Sequence, residues 1–231
     1  MIIVFPQATK VFNDLLIEMI KKSKATLFLD KSLSGYNLKK ISKVLIIILE
    51  NKKVEKYLKN YFLNSKLNKK FEILTLKKKT SGSICTVLMA ISTLKNKPVM
   101  ISSLDQIIIG KKIEINNLFT KQRSKITVPI IKSNNKNLCY TLKDDFGDVI
   151  QLFEKKIISD EAILGIYLFK NFSDFFNSST NLLIKYKGFK DKIFYTSDVI
   201  NDLMRNYRVN FPLLKLNYFK IRSVENFKKI L

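Results

Sequence analysis

The chain has 231 residues, 46% of them hydrophobic and 26% charged, and carries a formal charge of +23 with no histidine. That length and apolar share describe a globular chain able to bury a sizeable core, not a disordered one. The missing histidine excludes Ser-His-Asp and Cys-His nucleophilic schemes and every histidine metal site, so any chemistry must rest on carboxylates, lysines and a hard, oxygen-bound cation.

The opening MIIVFPQATK lacks the basic-then-apolar order of a signal peptide and is expected to supply a first strand, Ile2–Phe5. Helix is expected over Val11–Lys22, strand over Thr26–Leu29 and strand again over the apolar run Lys43–Leu49. The longest unbroken apolar run, Val44–Leu49, stops far short of the roughly 20 residues a membrane-spanning helix needs, so no membrane role is expected. Next come a helix at Asn51–Leu63, with Val54, Tyr57, Leu58, Tyr61 and Phe62 on one face, and a strand at Phe71–Leu74. The helix Ser83–Leu94 and the strand Val99–Ser102 complete a strand–helix alternation that implies a parallel, doubly covered sheet.

The second half changes character. Lys125–Ile131, Leu138–Leu142, Val149–Phe153 and Ala162–Phe169 read as four strands, with Asp144, Asp145 and Gly147 forming a hairpin turn between the second and third. Helices are expected at Phe172–Lys185 and Thr196–Asn206, then a strand or two, then a short helix from Val224. No Gly/Ser/Pro-rich linker divides the chain, so residues 1–231 are expected to form a single α/β domain with an inserted or appended antiparallel portion.

Cys85 and Cys139 show no metal spacing and read as reduced core thiols of a cytoplasmic protein. The lysines are spread along the chain and arginine occurs only as Arg123, Arg205, Arg208 and Arg222. That pattern reads as a compositional bias on a solvated surface, not as selection for phosphate-binding forks. With no base-reading module or aromatic platform visible, no specific nucleic-acid partner is expected.

The stretch Lys79–Ile109 carries the most information. Ile84, Val87, Leu88, Ile91 and Leu94 give its helix one buried face, and Pro98 opens the apolar run Val99-Met100-Ile101, which leads to Leu104, Asp105 and Gln106. A carboxylate at the carboxyl end of such a strand sits where open α/β sheets bind their ligands, which makes Asp105 a candidate metal ligand. The same residue type also caps helices and makes turns.

Four segments in order resemble the sugar-phosphate nucleotidyltransferases, and more narrowly their capsule and surface-polysaccharide branch. Thr80, Gly82, Thr86 and Val87 match a T-x-G-x-x-x-T-V run before a helix, and Asp105-Gln106 match a strand ending in Asp-Gln. Glu154 to Phe169 reads E-K-K-I-I-S-D-E-A-I-L-G-I-Y-L-F against E-K-x-x-I-S-x-x-A-x-x-G-I-Y-x-F, and Phe194-Tyr195 with Val199-Ile200-Asn201 match a later F-Y and V-I-N. The resemblance spans about Lys24 to Leu231. It implies a Rossmann-like sheet of the nucleotidyltransferase type, mostly parallel and doubly covered, with an antiparallel portion in the second half.

The resemblance also implies a reaction in which a sugar phosphate attacks the α-phosphate of a nucleoside triphosphate and pyrophosphate leaves. The protein's part is alignment and charge neutralisation. Asp105 would hold Mg2+ on the α-phosphate, Lys24 would stand for the family's Pro-Lys lysine, Gly82 would let the base or ribose approach the backbone, and Thr80 and Gln106 would be substrate-binding. Glu154 would accept hydroxyl hydrogens from the sugar-like substrate, with Lys155 on its phosphate and Gly165 near it. An exposed charged pair and a simple close backbone approach are the plainer readings of Glu154-Lys155 and Gly165.

The chain departs from that pattern at two places. The glycine-rich G-x-G-x-R loop after the first strand is replaced by Pro6-Gln7-Ala8-Thr9-Lys10-Val11-Phe12, which has no glycine, and a phosphate cradle there is not expected. A second metal-binding Asp near the carboxyl end is missing from Lys220-Ile221-Arg222-Ser223-Val224, where a lysine stands near its place. Two readings follow: a nucleotidyltransferase of impaired or altered activity serving surface-polysaccharide synthesis, or an inactive homologue acting as a binding or partner subunit. Neither the nucleotide, the acceptor nor a homo-oligomeric state follows from the residues.

Overall fold

The apolar opening of the chain folds as expected into β1 (Ile2–Gln7), whose Ile2, Ile3, Val4 and Phe5 are all buried. The computed structural model describes residues 1–109, 124–187 and 191–231. It is an α/β protein with a seven-stranded, mostly parallel sheet that includes antiparallel strands. By its contacts the chain divides into two compact units.

The first unit comprises Met1–Thr80, a segment from Ser102 and the segment Leu216–Leu231. After β1, Thr9 caps α1 (Lys10–Lys21) by accepting from the Phe12 N–H, so only Ala8 and Thr9 separate strand from helix. Here the reading of Thr26–Leu29 as a strand is corrected: the segment lies in α2 (Ala25–Ser34). Its buried residues, Ala25, Phe28, Leu29, Ser32 and Leu33, recur at helical spacing, and Phe28 meets Phe227 edge-on at 5.6 Å. A 3-10 turn at Leu38–Lys40 leads to β2 (Lys43–Leu49), then α3 (Lys52–Leu63) and β3 (Phe71–Leu76). β2 pairs in parallel with both β1 and β3, and Val44 to Ile48 are fully buried, as a strand covered on two faces requires.

The second unit comprises Ser81–Ile101 and the stretch ending at Lys215. The expected helix Ser83–Leu94 is two, α4 (Ser83–Leu88) and α5 (Ile91–Leu94), followed by β4 (Val99–Ile101). In the first unit again, β5 (Gln106–Ile109) is a strand that the sequence reading did not assign.

Returning to the second unit, the expected strand Lys125–Ile131 is broken around Pro129 into β6 (Ile126–Thr127) and β7 (Ile130–Lys132), because proline supplies no N–H to a ladder. β8 (Cys139–Lys143) and β9 (Val149–Glu154) form the expected hairpin, closed by Gly147 at φ 83°. Ala162–Phe169 is likewise two strands, β10 (Glu161–Ile163) and β11 (Tyr167–Phe169), parted at Gly165, whose φ of 74° no strand accommodates. Helices α6 (Phe172–Lys185) and α7 (Thr196–Leu203) and the strand β12 (Val209–Asn210) complete the unit. β7, β10, β8 and β9 make an antiparallel sheet in that order, with β9 on its edge. The first unit closes with β13 (Asn217–Lys220), antiparallel to β5, and α8 (Val224–Lys228).

Among the described residues no helix is long and apolar enough to cross a membrane.

Candidate functional site

Of the candidate residues, Lys24, Thr80, Asp105 and Gln106 belong to the first unit, and Gly82, Glu154, Lys155 and Gly165 to the second.

Asp105 does not close the strand β4 but stands immediately before β5. β4 stops at Ile101, and Ser102 to Asp105 lead into β5. The antiparallel pairing of β5 with β13 sets Lys220 opposite Gln106, and the Ile221 N–H donates to the Asp105 carbonyl at 2.8 Å, which fixes the register. Lys220 Nζ lies 2.5 Å from Asp105 Oδ1, and the Ser103 hydroxyl donates to that same oxygen. Arg222 Nη1 lies 3.9 Å from Oδ2. Ser103 Oγ in turn accepts from Gln7 Nε2 at 2.9 Å and from Lys220 Nζ at 3.2 Å, so its one donor and two acceptor positions are all used. Burial alone would push the Asp105 carboxyl up; Lys220, Ser103 and Arg222 outweigh it and hold the group below its ordinary 3.8.

Gln106 is 1% exposed. Both hydrogens of its amide are committed inside the core, one to the Tyr36 hydroxyl and one to Ser102 Oγ, each at 2.7 Å, while Tyr36 and Ser102 are themselves 2.7 Å apart. Burial pushes the Tyr36 phenol up to about 12, with the Asp105 charge adding to the shift and the Ser102 and Gln106 bonds opposing it. This triangle anchors the residue next to Asp105 on a rigid base.

The donor set at Asp105 does not suit the magnesium ion that the resemblance implies. Mg2+ needs an octahedron of oxygens at about 2.0–2.1 Å, supplied by carboxylates, water and phosphates. Here Oδ1 already holds an ammonium and Oδ2 faces a guanidinium. Among the described residues no three Asp, Glu or Cys side chains gather where they could hold a metal ion.

Lys24 is the N-terminal boundary residue of α2. Its N–H donates to the Met19 carbonyl at 2.8 Å and its carbonyl accepts from the Phe28 N–H at 2.9 Å. No ion pair found among the described residues joins it to Asp105. Thr80 is half-buried in the irregular segment after β3.

In the second unit, two of the matched segments meet. Gly82 has φ 118°, and a Cβ there would collide with the Phe194 carbonyl. The backbone packed against Gly82 is thus the chain's own: the Phe194 N–H donates to the Ser81 carbonyl at 2.8 Å and the Ile84 N–H to the Phe194 carbonyl at 3.4 Å. Ser83 Oγ lies 2.9 Å from Thr196 Oγ1 and accepts from the Thr196 N–H at 3.1 Å. This seam sets the start of α7, whose Ser197 hydroxyl donates to Glu154 Oε2 at 2.9 Å.

Glu154 ends β9 and is half-buried; Lys155 follows in the left-handed region at φ 57°. A lysine pays about 1–2 kcal/mol for that conformation, and its N–H is held on the Leu138 carbonyl at 2.9 Å. Lys155 Nζ donates to the Tyr195 hydroxyl at 3.0 Å. The Tyr195 N–H donates to Asp198 Oδ2 at 2.9 Å. Burial, reinforced by the Asp198 charge, pushes the Glu154 carboxyl up; Ser197, Lys155 and Cys139 oppose the shift and do not cancel it. Asn201 fixes β9 itself, bonding the Leu152 N–H and carbonyl at 2.8 and 2.9 Å. Gly165 makes the turn between β10 and β11.

Sequence reasoning did not assign roles to Lys220, Ser103, Gln7, Ser197 and Asn201. The V-I-N match contained Asn201 and Ser103 stands two residues before the matched Asp105-Gln106, and only the long-range strand pairing reveals what Lys220 touches.

No protein-family model and no curated protein sequence matches the chain. Solved structures match it closely in fold. A nucleoside-diphosphate-sugar pyrophosphorylase from Vibrio cholerae RC9 superposes with a TM-score of 0.74 at 16% identity, over 100% of this chain and 99% of that one. A UDP-glucose pyrophosphorylase complexed with UDP-glucose gives 0.73 at 17% identity, over 99% and 96%. The inositol-1-phosphate CTP transferase from T. maritima gives 0.65 at 9% identity, over 97% and 90%. At these identities the likeness shows a shared fold.

Proposed function

We propose that this chain is a divergent sugar-phosphate nucleotidyltransferase-like protein of the surface-polysaccharide type, cytoplasmic, which binds a nucleotide and a phosphorylated sugar or small polar acceptor but transfers the nucleotidyl group poorly. The observation that carries this reading is the Glu154-Lys155 pair. A half-buried carboxylate, steadied by Ser197, stands next to a lysine held in a costly backbone conformation. Such strain is kept where the surroundings over-determine it, typically at ligand sites. The carboxylate suits sugar hydroxyls and the ammonium a phosphate. Asp105 and Thr80 belong, on this reading, to the nucleotide side, and Gly165 to the acceptor side.

The alternative is a homologue without turnover that serves as a binding or partner subunit, as a homo-oligomer or with another protein. It is favoured by the Asp105–Lys220 ion pair and by the two-residue connection from β1 to α1, too short for a loop that wraps a triphosphate.

Calorimetric titration with CTP, UTP, GTP, dTTP and hexose 1-phosphates, alongside a pyrophosphate-release assay, tests both. Micromolar binding of a sugar phosphate that Glu154→Gln and Lys155→Ala weaken tenfold, with slow pyrophosphate release, supports the proposal. Binding with no release at all selects the partner-subunit reading, and no binding by folded protein sinks both.

A further inference from the structure

The ammonium at Asp105 is built in, not incidental. Lys220 is the last residue of β13, locked in register by four paired positions with β5 and by the Ile221–Asp105 backbone bond. Its side chain is 20% exposed and that of Asp105 11%. Nζ sits within bonding distance of both Asp105 Oδ1 and Ser103 Oγ, the two oxygens that a cation at this carboxylate would use. Arg222, 55% exposed, covers the other carboxylate oxygen. One negative and two positive side chains leave the cluster with a net charge of about +1, so a divalent ion would meet repulsion instead of a vacant ligand.

An ammonium has three hydrogens. Two are spent on Asp105 and Ser103, and among the described residues the third has no recorded partner. With the exposed guanidinium beside it, that donor set suits a phosphate oxygen.

We propose that Lys220 is a fixed cation that takes the place of a divalent ion at Asp105, closing this carboxylate to metal and letting the chain bind a phosphate group without one. The phosphate-binding half of this inference rests on the function proposed above; the exclusion of metal does not. A mobile, strongly hydrated ion would come and go with its concentration and with the ligand it accompanies. A lysine tethered by a strand is always present, so ligand binding becomes insensitive to chelators.

The test uses the full chain and two readouts. In a Mn2+ titration followed by electron paramagnetic resonance, the wild type shows no site that Asp105→Asn abolishes. Lys220→Asp, confirmed as folded by circular dichroism, gains one Mn2+ site of micromolar affinity that is lost again in the Lys220→Asp/Asp105→Asn double variant. A wild-type Mn2+ site that Asp105→Asn removes overturns the proposal, whatever the variants do. So does a folded Lys220→Asp with no gain.

In the second arm, CTP, UTP, GTP, dTTP and inorganic phosphate are titrated in EDTA and again with Mg2+. Kd values equal within twofold in the two conditions and weakened at least tenfold by Lys220→Ala support the phosphate half, and inorganic phosphate separates a bare phosphate site from one that reads the nucleoside. A tenfold tightening by Mg2+ overturns it. Failure of every ligand in both conditions removes the phosphate half along with the proposed function, while the Mn2+ arm still decides the metal half.

Discussion

Asn201 bonds the Leu152 backbone twice, donating from Nδ2 to its carbonyl at 2.9 Å and accepting from its N–H at 2.8 Å. β9 is the edge of its sheet, and this amide supplies the ladder partner that the edge lacks at Leu152. The strand that ends in Glu154 is therefore pinned two residues upstream by a helix side chain.

Asn201→Ala removes both bonds and leaves two partly buried backbone groups short of partners. The expected loss is about 2 kcal/mol, read as a lower midpoint in urea unfolding. Asn201→Asp keeps the acceptor and places a charge against the Leu152 carbonyl, so it should not rescue.

Breaking the Asp105–Lys220 pair on one side should cost more than removing it whole. Lys220→Met leaves a buried carboxylate with the Ser103 hydroxyl and the more distant Arg222 as its partners, and the expected loss is about 3 kcal/mol. The double variant Asp105→Asn/Lys220→Met should lose clearly less, a non-additivity that a double-mutant cycle measures directly. Equal losses in the single and double variants would speak against the pair.

Acid should act on Asp105 in one direction. Its folded value lies below the ordinary 3.8, so the stabilisation it contributes is present above the ordinary value and fades as pH falls through the depressed one. Asp105→Asn should therefore be less stable than wild type at pH 7, and the gap should narrow only in strong acid.

Glu154 has the opposite sign. Its folded value is raised above 4.5, so its favourable contribution is present below that value and is lost as pH climbs through the raised one. Glu154→Gln keeps an acceptor for Ser197 without the charge. Its melting temperature should exceed that of wild type at pH 7 and converge with it near pH 4.

Gly82→Ala should destabilise by about 3 kcal/mol or more, because a Cβ meets the Phe194 carbonyl and the backbone angle is wrong for alanine. Gly165→Ala, at a φ of 74°, should cost about 1–2 kcal/mol from its backbone angle. Thermal melts of the two variants rank them.

Long, strongly patterned elements were legible in the chain. Lys43–Leu49 and Phe172–Lys185 fold over the residues their apolar spacing indicates. Ala25-Thr26-Leu27-Phe28-Leu29 was not, because a short apolar run is compatible with either a strand or a helix and only burial of Ser32 and Leu33 on the same face decides. Pro129 and Gly165 interrupt what periodicity alone joins. Glu154 and Lys155 stand at the end of β9, whereas the partner of Asp105 lies 115 residues away along the chain. No local pattern encodes that distance; it emerges when β13 lies down beside β5.

The first unit draws on segments beginning at Met1, Ser102 and Leu216. A ribosome delivers them in that order, so the early parallel strands must wait for the late one on the order of ten seconds at ordinary elongation rates. During that wait the Asp105 carboxylate has no lysine to bury against, and β5 shows an unpaired edge. Completion of this unit thus comes late along the chain and with high contact order.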